Sequence, residues 1–154
     1  MEGCLLLGVS LILGRIAYLD YKYYYIADRD IALGILFSLA LKFIQHRLTD
    51  GILGLLLGLA SSGLVYIIAK KMYKKTALGS GDVTLSMFLG SVVGAGAYAS
   101  WAVFFSLLFL VGLVPLHLTK KLDWNRAFPL APFLNGATLI WLFLEHYGWS
   151  FRIS

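Results

Sequence analysis

The sequence predicts an all-α polytopic membrane protein, a bundle of six transmembrane helices with both termini outside. Three observations predict it. First, 60% of the 154 residues are hydrophobic and 14% are charged, with a mean hydropathy of +0.81; soluble domains carry roughly 25% charged residues. One water-soluble core of this size cannot hide so much apolar surface, so lipid is the solvent the composition fits. Second, the apolar residues gather in six separate runs. Third, the basic residues between those runs are biased to alternate loops, as membrane orientation requires. At this length the chain reads as a single transmembrane domain over residues 1–154.

The six runs are Gly3–Leu19, Ile31–Ile44, Asp50–Ala69, Asp82–Tyr98, Ser100–Leu118 and Ala127–Tyr147. The first is read as a retained helix and not a signal peptide. Glu2 stands where a basic segment belongs, and no small-x-small cleavage site precedes Asp20. The second falls short of the roughly 17 residues a span needs, so it must borrow flanking residues or sit in thin bilayer. The third and fourth carry Gly54-x-x-x-Gly58 and Gly90-x-x-x-Gly94, small residues four apart that let helix backbones approach closely. The fifth and sixth have full length. No run shows the alternation of a barrel strand.

With the N-terminus outside, the inner loops hold Arg15, Lys22, Arg29, Lys70, Lys71, Lys74, Lys75, Lys120, Lys121 and Arg126. Lys42, Arg47 and Arg152 fall outside, so ten of the 13 basic residues are inside. The positive-inside rule then places three loops in the cytoplasm. The net charge of +5 is therefore an orientation signal, and nucleic acid is not expected as a partner. Cys4 is the lone cysteine, and His46, His117 and His146 stand singly without ligand spacing. No metal and no cofactor are expected.

The acidic residues are Glu2, Asp20, Asp28, Asp30, Asp50, Asp82, Asp123 and Glu145. Glu2, Asp50 and Glu145 lie at outer helix ends and read as interface residues or caps. Asp123 lies in a basic loop and reads as solvated. Two clusters remain, both on the inner side. One is Tyr18-Leu19-Asp20-Tyr21-Lys22, followed by Asp28-Arg29-Asp30. The other is Gly79-Ser80-Gly81-Asp82, whose glycines permit a tight turn and close backbone approach. Asp82 at a helix N-terminus faces unpaired N–H groups that stabilise a carboxylate.

Asp20 and Asp82 end their helices at one face, so they can meet. Two neighbouring carboxylates do not both ionise cheaply, and one keeps its proton while the other is charged. Such a pair can bind water, take its proton during attack on a peptide carbonyl, and protonate the leaving amine. The residues alone leave other roles open. Asp82 suits a helix N-cap, and Asp20 can pair with Lys22 or Arg15. The two can also line a polar path in a small carrier, or stand in a non-catalytic scaffold.

In combination these residues resemble the type IV prepilin peptidase family of GxGD membrane aspartic peptidases. That family has an aspartate after an apolar helix with Ile-Pro-Asp or similar downstream, matched by Asp20 through Ile26-Ala27-Asp28. Its Gly-x-Gly-Asp is matched by Gly79-Ser80-Gly81-Asp82. Its Pro-x-x-Pro-Phe at the last helix is matched by Pro129-Leu130-Ala131-Pro132-Phe133. The three motifs fall in the family's order and cover nearly the whole chain.

The resemblance implies an endopeptidase of the inner (plasma) membrane that cuts the short basic leader from prepilin-like membrane proteins after a glycine, at the cytoplasmic face. It implies that Asp20 and Asp82 are the catalytic pair and that Asp28, Gly79, Gly81, Pro129 and Pro132 are accessory. Asp28 and Asp30 would offer an acidic patch to the leader. The partners it implies are the substrate and the bilayer; a homo-oligomer is compatible with it. Two departures stand out: Ala27 replaces the usual proline, and Thr84 replaces a common lysine. The chain also has no Cys-x-x-Cys, so it resembles the short, peptidase-only members and N-methyltransferase activity is not expected. Preflagellin peptidases are the nearest cousins, and presenilin-like proteases, with more helices, match less well.

Overall fold

The computed structural model describes residues 2–73, 79–118 and 130–146. Lys74, Lys75, Lys120, Lys121, Asp123, Arg126, Pro129 and Arg152 lie outside the described residues. Six helices run in order: α1 Glu2–Tyr23, α2 Asp28–Ile44, α3 Leu48–Tyr73, α4 Ser80–Val93, α5 Ala95–Leu118 and α6 Ala131–His146. Of these, α1, α3 and α5 are long and apolar enough to cross a membrane, and α4 and α6 are shorter apolar helices.

The short second run gains its missing turn at its start. Ala27 caps α2 in an extended conformation, and its carbonyl accepts the N–H groups of Asp30 and Ile31 at 3.0 and 3.3 Å. The turn therefore forms without the family's proline. Tyr24, at a left-handed φ of 51°, ends α1, with its N–H on the Asp20 carbonyl at 2.9 Å.

The expected fourth segment, Asp82–Tyr98, is corrected by the structure. The helix stops at Val93, and Tyr98 belongs to α5. Gly94 breaks it with a φ of 86°, a conformation that costs L-residues steric strain. Asp50, on α3, secures the break: its Oδ1 accepts the Gly96 N–H at 2.9 Å, and its Oδ2 pairs with Arg47 at 3.2 Å. The expectation of a cap at Asp50 holds, but the helix capped is α5 and not its own. Gly94 is thus a C-cap, not an interior helix residue.

Four helices form a ring. α2 and α6 each pack against both α1 and α4, while the backbones of α1 and α4 stand apart across the ring. The middle of the ring is filled by Leu13 and Ile16 of α1 and Leu85, Phe88 and Leu89 of α4, all fully buried. The α1 members belong to an inward stripe at helical spacing, Val9, Leu13, Ile16 and Asp20. The last member of that apolar stripe is a carboxylate.

α3 covers the outside of α4. The two expected glycine motifs face each other: a Cβ on Gly54 would collide with the Gly90 carbonyl, one on Gly58 with the Ser86 carbonyl, and one on Gly90 with the Gly54 carbonyl. Only hydrogen side chains allow backbones this near. Because Asp82 opens α4, this contact also fixes where Asp82 stands.

Candidate active site

Asp20 and Asp82 lie at the same end of the ring, and each is held by a helix N-terminus. Asp82 is the third residue of α4, and its Oδ2 accepts the Gly79 N–H at 3.0 Å. The return bond runs from the Asp82 N–H to the Gly79 carbonyl at 3.2 Å. This is the backbone half of a capping box, which is all a glycine cap can supply. A Cβ on Gly79 would press on the Asp82 carboxylate at 3.2 Å, so the absence of a side chain keeps that oxygen clear. The alternative reading of Asp82 as a cap is therefore true of its geometry, and the cap leaves Oδ1 for other work.

Asp20 is buried, and its Oδ2 accepts the N–H of Ala131 at 3.0 Å, a bond between residues 111 positions apart. It does not pair with Lys22 or Arg15. Lys22 instead donates to the Tyr18 hydroxyl at 3.2 Å, and Arg15 reaches Asp30 at 3.1 Å. The start of α6 explains why Asp20 finds this partner. A helix start leaves its first four N–H groups without intrahelical acceptors. Here Phe133 and Leu134 donate to the Leu130 carbonyl at 3.1 and 3.2 Å, and Pro132 has no N–H to satisfy. Ala131 is the remaining donor, and it points at Asp20. The role of Pro132 is to open α6 without adding a competing donor.

Asp82 stands close enough to Asp20 to feel its charge. Between their helices, Ile26 of the α1–α2 connection closes the gap, since a Cβ on Gly81 would lie 3.2 Å from the Ile26 Cβ. Gly81 thus brings the α4 turn against the segment that follows Asp20. Thr84, at the position of the family's lysine, turns its hydroxyl onto the Gly81 carbonyl at 3.0 Å and braces the same turn.

The acidic patch expected from Asp28 and Asp30 does not form. Asp28 is exposed at the start of α2, but Asp30 is buried and paired with Arg15. Helical spacing is the reason: two residues on, the side chain turns from solvent to the α1 interface. Arg15→Gln should lower the thermal midpoint by a few degrees, because it leaves the Asp30 carboxylate buried alone. The loss stays below the roughly 3–5 kcal/mol of a fully buried pair, since the Arg15 side chain is 67% exposed. Among the described residues no group of three His, Cys, Asp or Glu gathers as a metal site would need.

Two positions near the site were not among the residues expected from the sequence. One is Ala131, which acts through its backbone. The other is Asn135, one turn further along α6, fully buried, whose amide donates to the Leu13 carbonyl of α1 at 2.9 Å. A lone Asn inside an apolar run was the available hint. With the Ala131–Asp20 bond it ties α6 to α1 at two levels.

This arrangement can be set beside known proteins. The model of the type IV leader peptidase family matches residues 5–119 of the chain. The chain belongs to that family. A prepilin leader peptidase/N-methyltransferase of Haemophilus influenzae is 30% identical over 148 residues, covering 93% of this chain. The chain spans 62% of that relative's length. No solved structure matches it. The family model ends before the segment that opens α6, and it is the backbone of that segment, at Ala131, that holds Asp20. Replacing Ala131 by proline tests the contact. Proline suits the first position of a helix, so it removes the N–H while keeping α6. The unfolding temperature should fall by the equivalent of roughly 1.5–3 kcal/mol, the worth of a hydrogen bond to a charged group. Ala131→Gly, which keeps the amide, should stay near the parent midpoint in the same measurement.

Proposed function

We propose that this chain is a membrane aspartic endopeptidase that removes the short basic leader from prepilin-like precursors. The observation that supports it most is the convergence of Asp20 and Asp82. They are 82 − 20 = 62 positions apart in sequence, yet each is fixed by a helix-start N–H at one end of the ring. Family membership makes peptide hydrolysis the chemistry to ask of them.

In this mechanism one carboxylate is charged and the other protonated. The charged one takes a proton from a water as that water adds to the scissile carbonyl. The protonated one first stabilises the new oxyanion and then gives its proton to the leaving amine. The helix-start amides hold the carboxylates in place and cost no reorganisation during the step. Lipid-exposed helices would receive the substrate's apolar segment laterally, while its basic leader lies in the water.

All six helices are taken to span the inner (plasma) membrane, with both termini outside and the aspartate end at the cytoplasmic face. The charge bias of the loops supports this orientation. We propose only the peptidase part of the relative's name, since the residues this chain supplies at its site are the aspartates. The substrate's assembly system, in pili or in secretion, is not distinguished by the site. A conduit is less well supported than a peptidase. The ring is filled by large apolar side chains between its two ends, and α4 carries no ionisable residue after Asp82.

The test is a cleavage assay with the purified protein in liposomes and a prepilin-like substrate carrying a basic leader. Cleavage at the leader junction is expected, with loss in Asp20→Asn and in Asp82→Asn. Normal processing by both variants would overturn the proposal.

A further inference from the structure

The connection between α1 and α2, residues 24–27, carries a feature that the catalytic chemistry does not use. Tyr24 and Tyr25 stand there side by side, each more than half exposed. Tyr24 is the left-handed residue of the α1 helix stop, with its N–H on the Asp20 carbonyl four positions back. Glycine or asparagine ordinarily takes that position, because a larger side chain is strained there. Stopping the helix does not require an aromatic ring, so a ring kept at a strained position points to a task of its own. The connection also runs from one aspartate to the other. It leaves Asp20 at Tyr24 and meets the Asp82 turn where Ile26 faces Gly81. A peptide laid between the aspartates therefore has these rings at its side.

The neighbouring helix end shows what such rings hold. The Lys22 ammonium lies 5.6 Å from the Tyr18 ring centroid and 5.2 Å from that of Tyr23, close enough for a cation to be drawn to an aromatic face. Among the described residues no cation lies over Tyr24 or Tyr25. Carboxylates offer a cation little else along this connection. Asp30 is buried against Arg15, and Asp28, though exposed, has the exposed Arg29 beside it. We propose that Tyr24 and Tyr25 form a shelf for the basic leader of the substrate, whose lysine or arginine side chains rest on the two ring faces. The partner's identity rests on the peptidase reading, and the shelf on the position and exposure of the rings. Tyrosines also anchor helices at a lipid interface. Tyr18, Tyr21 and Tyr23 already present exposed rings for that from unstrained helix, so anchoring does not account for Tyr24.

The experiment uses the full chain in phosphatidylcholine nanodiscs, with Asp82→Asn so that bound substrate is not cut. Two fluorescent prepilin-like probes are compared by anisotropy, one with a lysine-rich leader and one with norleucine in place of every lysine. Tyr24→Gly combined with Tyr25→Leu removes both rings and relieves the left-handed strain. The dissociation constant of the lysine probe should then rise roughly 5- to 30-fold, the worth of two exposed cation–π contacts. That of the norleucine probe should move by less than about twofold, and the unfolding temperature should not fall. Tyr24→Phe combined with Tyr25→Phe keeps the ring faces and should bind the lysine probe nearly as the parent does. Equal losses on both probes would make the rings anchors for apolar chain or lipid and would overturn the proposal. An unchanged lysine probe would overturn it too, as would a loss in the phenylalanine pair as large as in the glycine–leucine pair. If the glycine–leucine pair does not fold, Tyr25→Leu alone decides, with an expected rise of roughly 2- to 5-fold. Cleavage of the lysine probe by the unsubstituted protein reports separately on the peptidase reading. Ring-dependent binding without cleavage would overturn that reading and keep the shelf.

Discussion

Asp20→Asn and Asp82→Asn should each lower leader cleavage by roughly 10²–10⁴-fold, the range of a lost general acid or base. The double variant should fall no further than the worse single one. Non-additivity follows from the mechanism, because the two carboxylates share one proton and one water, and either alone is an incomplete device. Both replacements keep the shape of the side chain and an acceptor oxygen. The bonds from Gly79 and Ala131 therefore survive, and α4 and α6 remain capped. Rates measured in liposomes, with circular dichroism as the control for folding, separate lost chemistry from lost structure. A double variant that loses the product of the two single effects would mean that the aspartates act independently.

Gly90→Val should prevent stable folding. Overpacking a core costs about 1–3 kcal/mol when side chains can move aside. Here the obstacle is the Gly54 carbonyl, a backbone atom in the middle of α3 that no rotamer change can move. The cost should exceed that range and appear as a collapse of the unfolding temperature and of yield. Gly54→Val should behave alike from the other side of the contact. Gly63→Ala is the control in the same helix, since nothing lies within 4 Å of the added Cβ. It should be neutral or stabilising by up to about 1 kcal/mol, because alanine is the better helix former. A stable, active Gly90→Val protein would contradict the backbone contact that places α4, and with it Asp82.

These two predictions draw on the parts of the molecule that are readable in sequence. The helices are readable because each is a continuous apolar run, and the glycine pairs because four-residue spacing puts them on one helix face. The break at Gly94 is not readable from hydropathy, since Gly94-Ala95-Gly96 is as apolar as its flanks; what ends the helix there is a backbone angle. Asp20 and Asp82 are singled out from the other helix-end carboxylates by the inner side they share and by the motifs around them, Gly79-Ser80-Gly81-Asp82 above all. Their anchors are harder to find. The donor to Asp20 is a backbone N–H, which every residue but proline possesses, at a distance of 111 positions. Asp30 and Lys42 mislead for one reason: sequence shows that they flank apolar helices, while burial depends on which neighbour each helix face meets. Asp30 meets Arg15 of α1, and Lys42 meets the end of α4.

The central claim is that Asp20 and Asp82 together drive one water directly onto the scissile carbonyl. A single-turnover reaction in oxygen-18 water, with enzyme in excess over a leader-bearing substrate, tests it most directly. The account predicts one oxygen-18 in the new carboxylate of the released leader and none in Asp20 or Asp82. Label in either aspartate, with an unlabelled leader, would show that a carboxylate attacks the peptide itself and would contradict the account.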